Sequence, residues 1–186
     1  AEKLSAGEIL QIEKSITRTM TEDVYFDMIN QKTASLIATS CELGAITTTK
    51  SGQDRQATHS FGENLGMAFQ IKDDLFDLMG SASDTGKNGG GDVKKNMMTL
   101  PLIFSNTHMT KSENRKLKKL LGVKKKNRTV IAQIRGMIEE TGGFDYARNK
   151  LDEFSSHALH AISIYPDSPV KQSLADLVAF NASRVK

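Results

Sequence analysis

Three aspartates and a glutamine crowd one stretch of this sequence, Asn64-Leu65-Gly66-Met67-Ala68-Phe69-Gln70-Ile71-Lys72-Asp73-Asp74-Leu75-Phe76-Asp77-Leu78-Met79. At about 100° per helical residue, with Asp73 at the origin, Asp77 falls at about 40°, Gln70 at about 60° and Asp74 at about 100°. Apart from Asn64 and Lys72 the other positions are apolar or glycine. A helix apolar nearly all round is a buried one. Unpaired carboxylates there are costly, so the acids are either protonated or paired with cations. Aspartate is a hard oxygen ligand, and Asp-rich sites that keep waters suit Mg²⁺ with a phosphate completing the shell. Asp73, Asp74 and Asp77 are therefore candidate Mg²⁺ ligands. The competing reading is an acidic patch on a solvated face. Gly62 and Gly66 project from nearly the same side, at about 340° and 20°, and are expected to leave open space beside the acids.

A phosphate would also need cations. Lys87 lies in the glycine-rich stretch Ser81–Gly91, which can fold over an anion or serve as a plain connector. It is not a Walker loop, since Asn88 stands where serine or threonine is required. Lys32-Thr33 sits in an otherwise apolar helical stretch. There the lysine either meets an anion or snorkels to water. Between Lys111 and Arg128 nine basic residues face Glu113 alone, without one aromatic residue. A nucleic-acid site would add aromatics for stacking, so this run reads as a solvated helix and loop. His157 and His160 lack a nearby acidic partner and read as ordinary histidines. Cys41 has no activating neighbour in sequence.

The elements that must position these residues are helices. Only three prolines occur in 186 residues, and apolar residues recur at steps of three and four throughout. A first helix spans about Gly7 to Arg18, with Ile9, Leu10, Ile12 and Ile16 expected inward. A second begins after the N-cap Thr21 and runs through Tyr25, Ile29, Leu36, Ile37 and Leu43 to Gly44. A third covers about Arg55 to Met79. Shorter ones follow near Leu100–Asn106, Ser112–Leu121 and Arg128–Glu140. A longer one runs from Phe144 to Ile164, and the last opens at Ser168-Pro169. The fold class is all-α, one domain over residues 1–186. Charge is balanced, with 25 Lys+Arg against 22 Asp+Glu, which excludes a strongly basic nucleic-acid arm. A single cysteine excludes an internal disulfide framework. No apolar stretch is long enough to cross a bilayer, and a soluble, cytoplasmic chain is expected.

These residues carry a resemblance. Phe69-Gln70-Ile71-Lys72-Asp73-Asp74-Leu75-Phe76-Asp77, then Gly86-Lys87, Asp92 and Thr99-Leu100-Pro101-Leu102, resemble the second aspartate-rich region of trans-isoprenyl diphosphate synthases. Gly7-Glu8-Ile9-Leu10-Gln11, Lys32-Thr33-Ala34-Ser35-Leu36, Gly142-Gly143-Phe144-Asp145-Tyr146-Ala147 and Leu174 to Arg184 extend the likeness over nearly the whole chain. It is nearest the bacterial long-chain, octaprenyl-like type. The resemblance implies an isoprenoid-synthase bundle around a central cavity. Its reaction joins isopentenyl diphosphate head-to-tail to an allylic diphosphate, with Mg²⁺ as cofactor and a homodimer as assembly. It assigns Asp73, Asp74 and Asp77 to metal, and Lys32, Thr33, Gln70 and Lys87 to the allylic diphosphate or to shielding of the cation. Two departures stand out. Helices bearing the family's first aspartate motif have no counterpart in residues 1–68, so the chain is expected to be a C-terminal portion. Met97 stands where the family usually has a lysine. The non-catalytic alternative is a regulatory subunit of a heteromeric synthase.

Overall fold

The computed structural model describes residues 2–17, 19–80 and 89–184. Lys87 and the first eight residues of the glycine-rich stretch lie outside them. No strand occurs among the described residues. The helices are α1 (Glu2–Thr17), α2 (Glu22–Ile29), α3 (Ser35–Ile46), α4 (Gly52–Met79), α5 (Gly91–Lys94), α6 (Leu100–His108), α7 (Lys111–Gly122), α8 (Arg128–Glu140), α9 (Gly143–Ala161) and α10 (Pro169–Ser183).

The ends follow local chemistry. Thr21 caps α2, its Oγ1 accepting the Val24 amide. Thr110 and Glu113 form a reciprocal capping box on α7, and Ser168 caps α10 with proline in the first turn. Each satisfies amides that a helix start leaves without partners. Gly142, at φ +74°, turns the chain out of α8.

Two compact units emerge. One gathers Phe26–Lys72, the N-terminal stretch to Ile9 and the stretch from Asn149 onward; the other gathers Leu10–Tyr25 and Asp73–Arg148. In the first unit, Phe61, Leu65, Ala158, Ile162 and Val178 form a core cluster. The second unit buries Leu100, Leu102, Ile103, Leu117, Ile131, Ile134 and Ile138, with α8 packed on α6 and α7.

The structure corrects three expectations. The second helix is not continuous α-helix: Asn30–Ala34 form a π-helical turn between α2 and α3. One extra residue in a turn leaves composition unchanged, so periodicity does not reveal it. Ile9, Ile12 and Ile16 are exposed rather than inward, at 65%, 56% and 75%. Their spacing shows that α1 has an apolar face, not that this chain covers it. Finally, Gly62 and Gly66 leave no open space. A Cβ on Gly66 would lie 2.6 Å from Ala34 Cα, and one on Gly62 would lie 2.8 Å from both Ala38 Cα and the Ile37 carbonyl oxygen. The two backbones touch there, and that is why the positions are glycine.

Gly66→Ala therefore has nothing flexible to push aside. It is expected to destabilise the fold by about 1–3 kcal/mol or more, against a near-neutral Gly136→Ala, whose Cβ would meet nothing within 4 Å. Urea unfolding of the two variants makes the comparison.

Candidate active site

The polar groups singled out by sequence divide between the two units, and α4 carries members of both. In the first unit the π-helical turn presents Lys32 and Thr33. Thr33 Oγ1 donates to Gln70 Oε1 at 2.9 Å, so the turn and α4 share a hydrogen bond beside the Gly66–Ala34 contact. Lys32 pairs with Glu8 at 3.1 Å, where Gly7 lets α1 approach the Lys32 backbone. A second polar link, Asn30 Nδ2 to Glu63 Oε1 at 2.7 Å, spans the same two elements. Lys72, the other polar residue of the aspartate segment, reaches the Ala182 carbonyl at 2.6 Å. Arg184 bonds the Phe69 carbonyl and lies 4.4 Å over its ring.

In the second unit Asp74 is buried, only 6% exposed, and accepts the Tyr25 phenol proton at 2.7 Å on Oδ2. That burial removes the reading of a solvated acidic patch. Tyr25 is fully buried. Burial first, then the Asp74 charge and hydrogen bond, then the Asp92 charge, raise its pKa well above the usual 10.0. Asp73 and Asp77 are half-buried. Asp77 accepts two backbone amides, Gly91 on Oδ1 and Asp92 on Oδ2, each at 2.9 Å. Met97 is half-buried, and its thioether accepts the Gln11 amide at 3.6 Å.

Among the described residues no group of three His, Cys, Asp or Glu side chains is gathered to hold a metal alone. The donor set instead fits Mg²⁺ as that ion is usually bound, through one or two carboxylates with substrate phosphates and water supplying the rest. Elsewhere in the first unit, Cys41, Ala45, Phe61, Ile162, Tyr165 and Leu174 line a cavity of about 640 Å³; it contains none of the residues read as functional.

Sequence reasoning missed Tyr25, which counted only as an apolar position. A signal existed, since a tyrosine on an inward face needs a partner for its hydroxyl. Lys126 was also missed: it is buried and donates to Asn96 at 2.9 Å, whereas Lys124 and Lys125 are exposed as expected.

Comparison with known proteins bears on the family and the fold. The family model for polyprenyl synthetase matches residues 1–138. The chain belongs to that family. It is 30% identical over 184 residues to an all-trans-nonaprenyl-diphosphate synthase (geranyl-diphosphate specific) of Rhodobacter capsulatus, covering 99% of this chain and 56% of that protein. It is 25% identical over 181 residues to the octaprenyl diphosphate synthase of Escherichia coli, covering 97% and 56%. The crystal structure of a decaprenyl diphosphate synthase from Rhodobacter capsulatus superposes with a TM-score of 0.90 at 29% identity, covering all of this chain and 57% of that one. A polyprenyl synthase from Caulobacter crescentus, complexed with calcium and isoprenyl diphosphate, gives 0.91 at 28% identity, covering 100% and 56%. The all-α, isoprenoid-synthase-type fold expected from sequence is thus the fold observed. The chain spans about half the length of the curated relatives it matches. No helix among the described residues is long and apolar enough to cross a membrane.

Removing the Tyr25 hydroxyl takes a donor from a buried carboxylate. Tyr25→Phe is expected to cost about 1.5–3 kcal/mol, the worth of a hydrogen bond to a charged group. A tyrosine whose folded pKa is raised stabilises fully below its unfolded pKa and loses that contribution as pH rises above it. The difference in urea stability between wild type and Tyr25→Phe should therefore hold up to about pH 10 and shrink as pH rises further, toward the raised pKa of the folded state.

Proposed function

We propose that residues 1–186 act as one catalytic domain, the portion of a trans-prenyltransferase that carries the second aspartate-rich motif. The reaction joins isopentenyl diphosphate head-to-tail to an allylic diphosphate. The observation that carries this reading is the burial of Asp74 next to Asp73 on α4, in a chain of the polyprenyl synthetase family. A buried carboxylate is costly unless its charge is used.

Asp73 and Asp74 are the residues that would hold Mg²⁺, with Asp77 beside them. Bound there, Mg²⁺ neutralises charge on the departing diphosphate, which is what cleavage of the allylic carbon–oxygen bond demands. The chain's own groups do the remainder. Tyr25 donates to one oxygen of Asp74 and so fixes its orientation. Lys32, on a long flexible stem, exchanges the half-exposed Glu8 carboxylate for the allylic diphosphate. Thr33 and Gln70, already hydrogen-bonded, offer oxygen lone pairs and an amide dipole toward the developing allyl cation. Lys87 adds a second cation for the diphosphate. After attack by the isopentenyl double bond, the proton lost passes to the released diphosphate. Met97 supplies no charge at the position where the family's lysine stands.

The names of the relatives support a long-chain product. The bare apolar face of α1, with Ile9, Ile12 and Ile16 outward, supports a homodimer. Cytoplasmic location accords with the lack of a membrane-crossing helix among the described residues.

In the full-length enzyme, Asp73→Ala should lower turnover by several orders of magnitude, because the leaving diphosphate is then poorly neutralised. Incorporation of labelled isopentenyl diphosphate at saturating Mg²⁺ measures it, and near-normal turnover would refute the assignment.

A further inference from the structure

The third aspartate of the motif, Asp77, is held by backbone amides. Both of its carboxylate oxygens are committed to backbone: Oδ1 to the Gly91 amide and Oδ2 to the Asp92 amide, each at 2.9 Å. Its own carbonyl accepts the Gly90 amide at 2.6 Å. Three consecutive amides therefore converge on one residue. The chain leaves α4 at Gly80 and is back against it at Gly89, where a Cβ would collide with the Gly80 carbonyl oxygen and would lie 2.9 Å from that of Asp77. Gly90 needs its positive φ of 81°, and a side chain there would meet Ile131. A Cβ on Gly91 would stand 3.0 Å from Asp77 Oδ1. The run Gly89-Gly90-Gly91 is thus explained without any anion: each glycine lets backbone close onto the end of α4. Arg135 completes the closure by donating to the Gly80 carbonyl at 2.8 Å.

We infer that Asp77 is a positioning residue, a clasp that pins Gly90, Gly91 and Asp92 to the end of α4, and that Asp73 and Asp74 carry the metal charge. The inference refines the proposed function and rests on it for the metal half alone. An ionised carboxylate accepting two amides is well satisfied without a metal. What it holds matters to the site, because Asp92, whose amide is clamped, exerts its charge on the Tyr25 phenol that binds Asp74. Asparagine cannot replace it fully: one of its two terminal atoms is a donor and would face an N–H.

The test separates clasp from ligand by two readouts on the purified protein. In the absence of metal, amide hydrogen exchange at Gly91 and Asp92 should speed up by about ten- to a hundredfold in Asp77→Ala. Asp77→Asn should show a smaller increase, and Asp73→Ala none. Mg²⁺ binding in the presence of inorganic pyrophosphate, followed by calorimetry, should fall more than tenfold for Asp73→Ala and less than threefold for Asp77→Ala. Unchanged exchange at Gly91 and Asp92 in Asp77→Ala overturns the clasp. Equal losses of Mg²⁺ affinity in the two alanine variants overturn the division of roles. Failure of the wild type itself to bind Mg²⁺ with pyrophosphate would refute the prenyltransferase reading, while the exchange result would still decide the clasp.

Discussion

Backbone meets backbone at Gly66 and Ala34, and the polar chemistry of that unit hangs on this contact. With no side chain between them, α4 and the π-helical turn come close enough for Thr33 to reach Gln70, one turn beyond Gly66, at 2.9 Å. The same proximity brings Asn30 to Glu63. A methyl group at either glycine would wedge the helices apart and separate both pairs together. Close-packed interiors shift by discrete steps rather than by yielding smoothly, so a small change there reaches residues that it never touches.

Much of this was legible in the residues. The apolar spacing located the long helices, and Thr21 and Ser168-Pro169 marked two starts because their side chains satisfy amides locally. The unusual segment around Asp73 stood out because three acids on an apolar helix need an explanation. Other features left no local trace. The π-helical turn adds one residue to a turn whose composition remains helical. Gly62 and Gly66 looked like room for a ligand, yet glycine marks both empty space and the tightest contact, and only the opposite helix decides which. The bare face of α1 was misjudged because amphipathicity records a need for cover without naming its source. The backbone partners of Asp77 come from a segment more than a dozen residues downstream, which its spacing from Asp73 and Asp74 does not reveal.

Charge burial follows a consistent pattern in the second unit. Asp74 has a phenol, Asp77 has two amides and Lys126 has the Asn96 side-chain oxygen. In each case a directed hydrogen bond offsets part of the desolvation cost. By contrast, the Lys111–Arg128 run lies mostly in water, where its charges need no such fixing.

The links from α10 to α4 bear on how the chain is made. Lys72 leaves the ribosome 110 residues ahead of the Ala182 carbonyl that its amine meets in the finished fold. At about 5–20 residues per second, that interval is roughly 5–20 s. Phe69, at 37% still partly exposed in the completed structure, waits still longer for the Arg184 guanidinium. For that period the apolar middle of the longest helix is without its final cover. The nascent chain is therefore open to chaperones, or to aggregation, along the helix that carries Lys72 and Phe69.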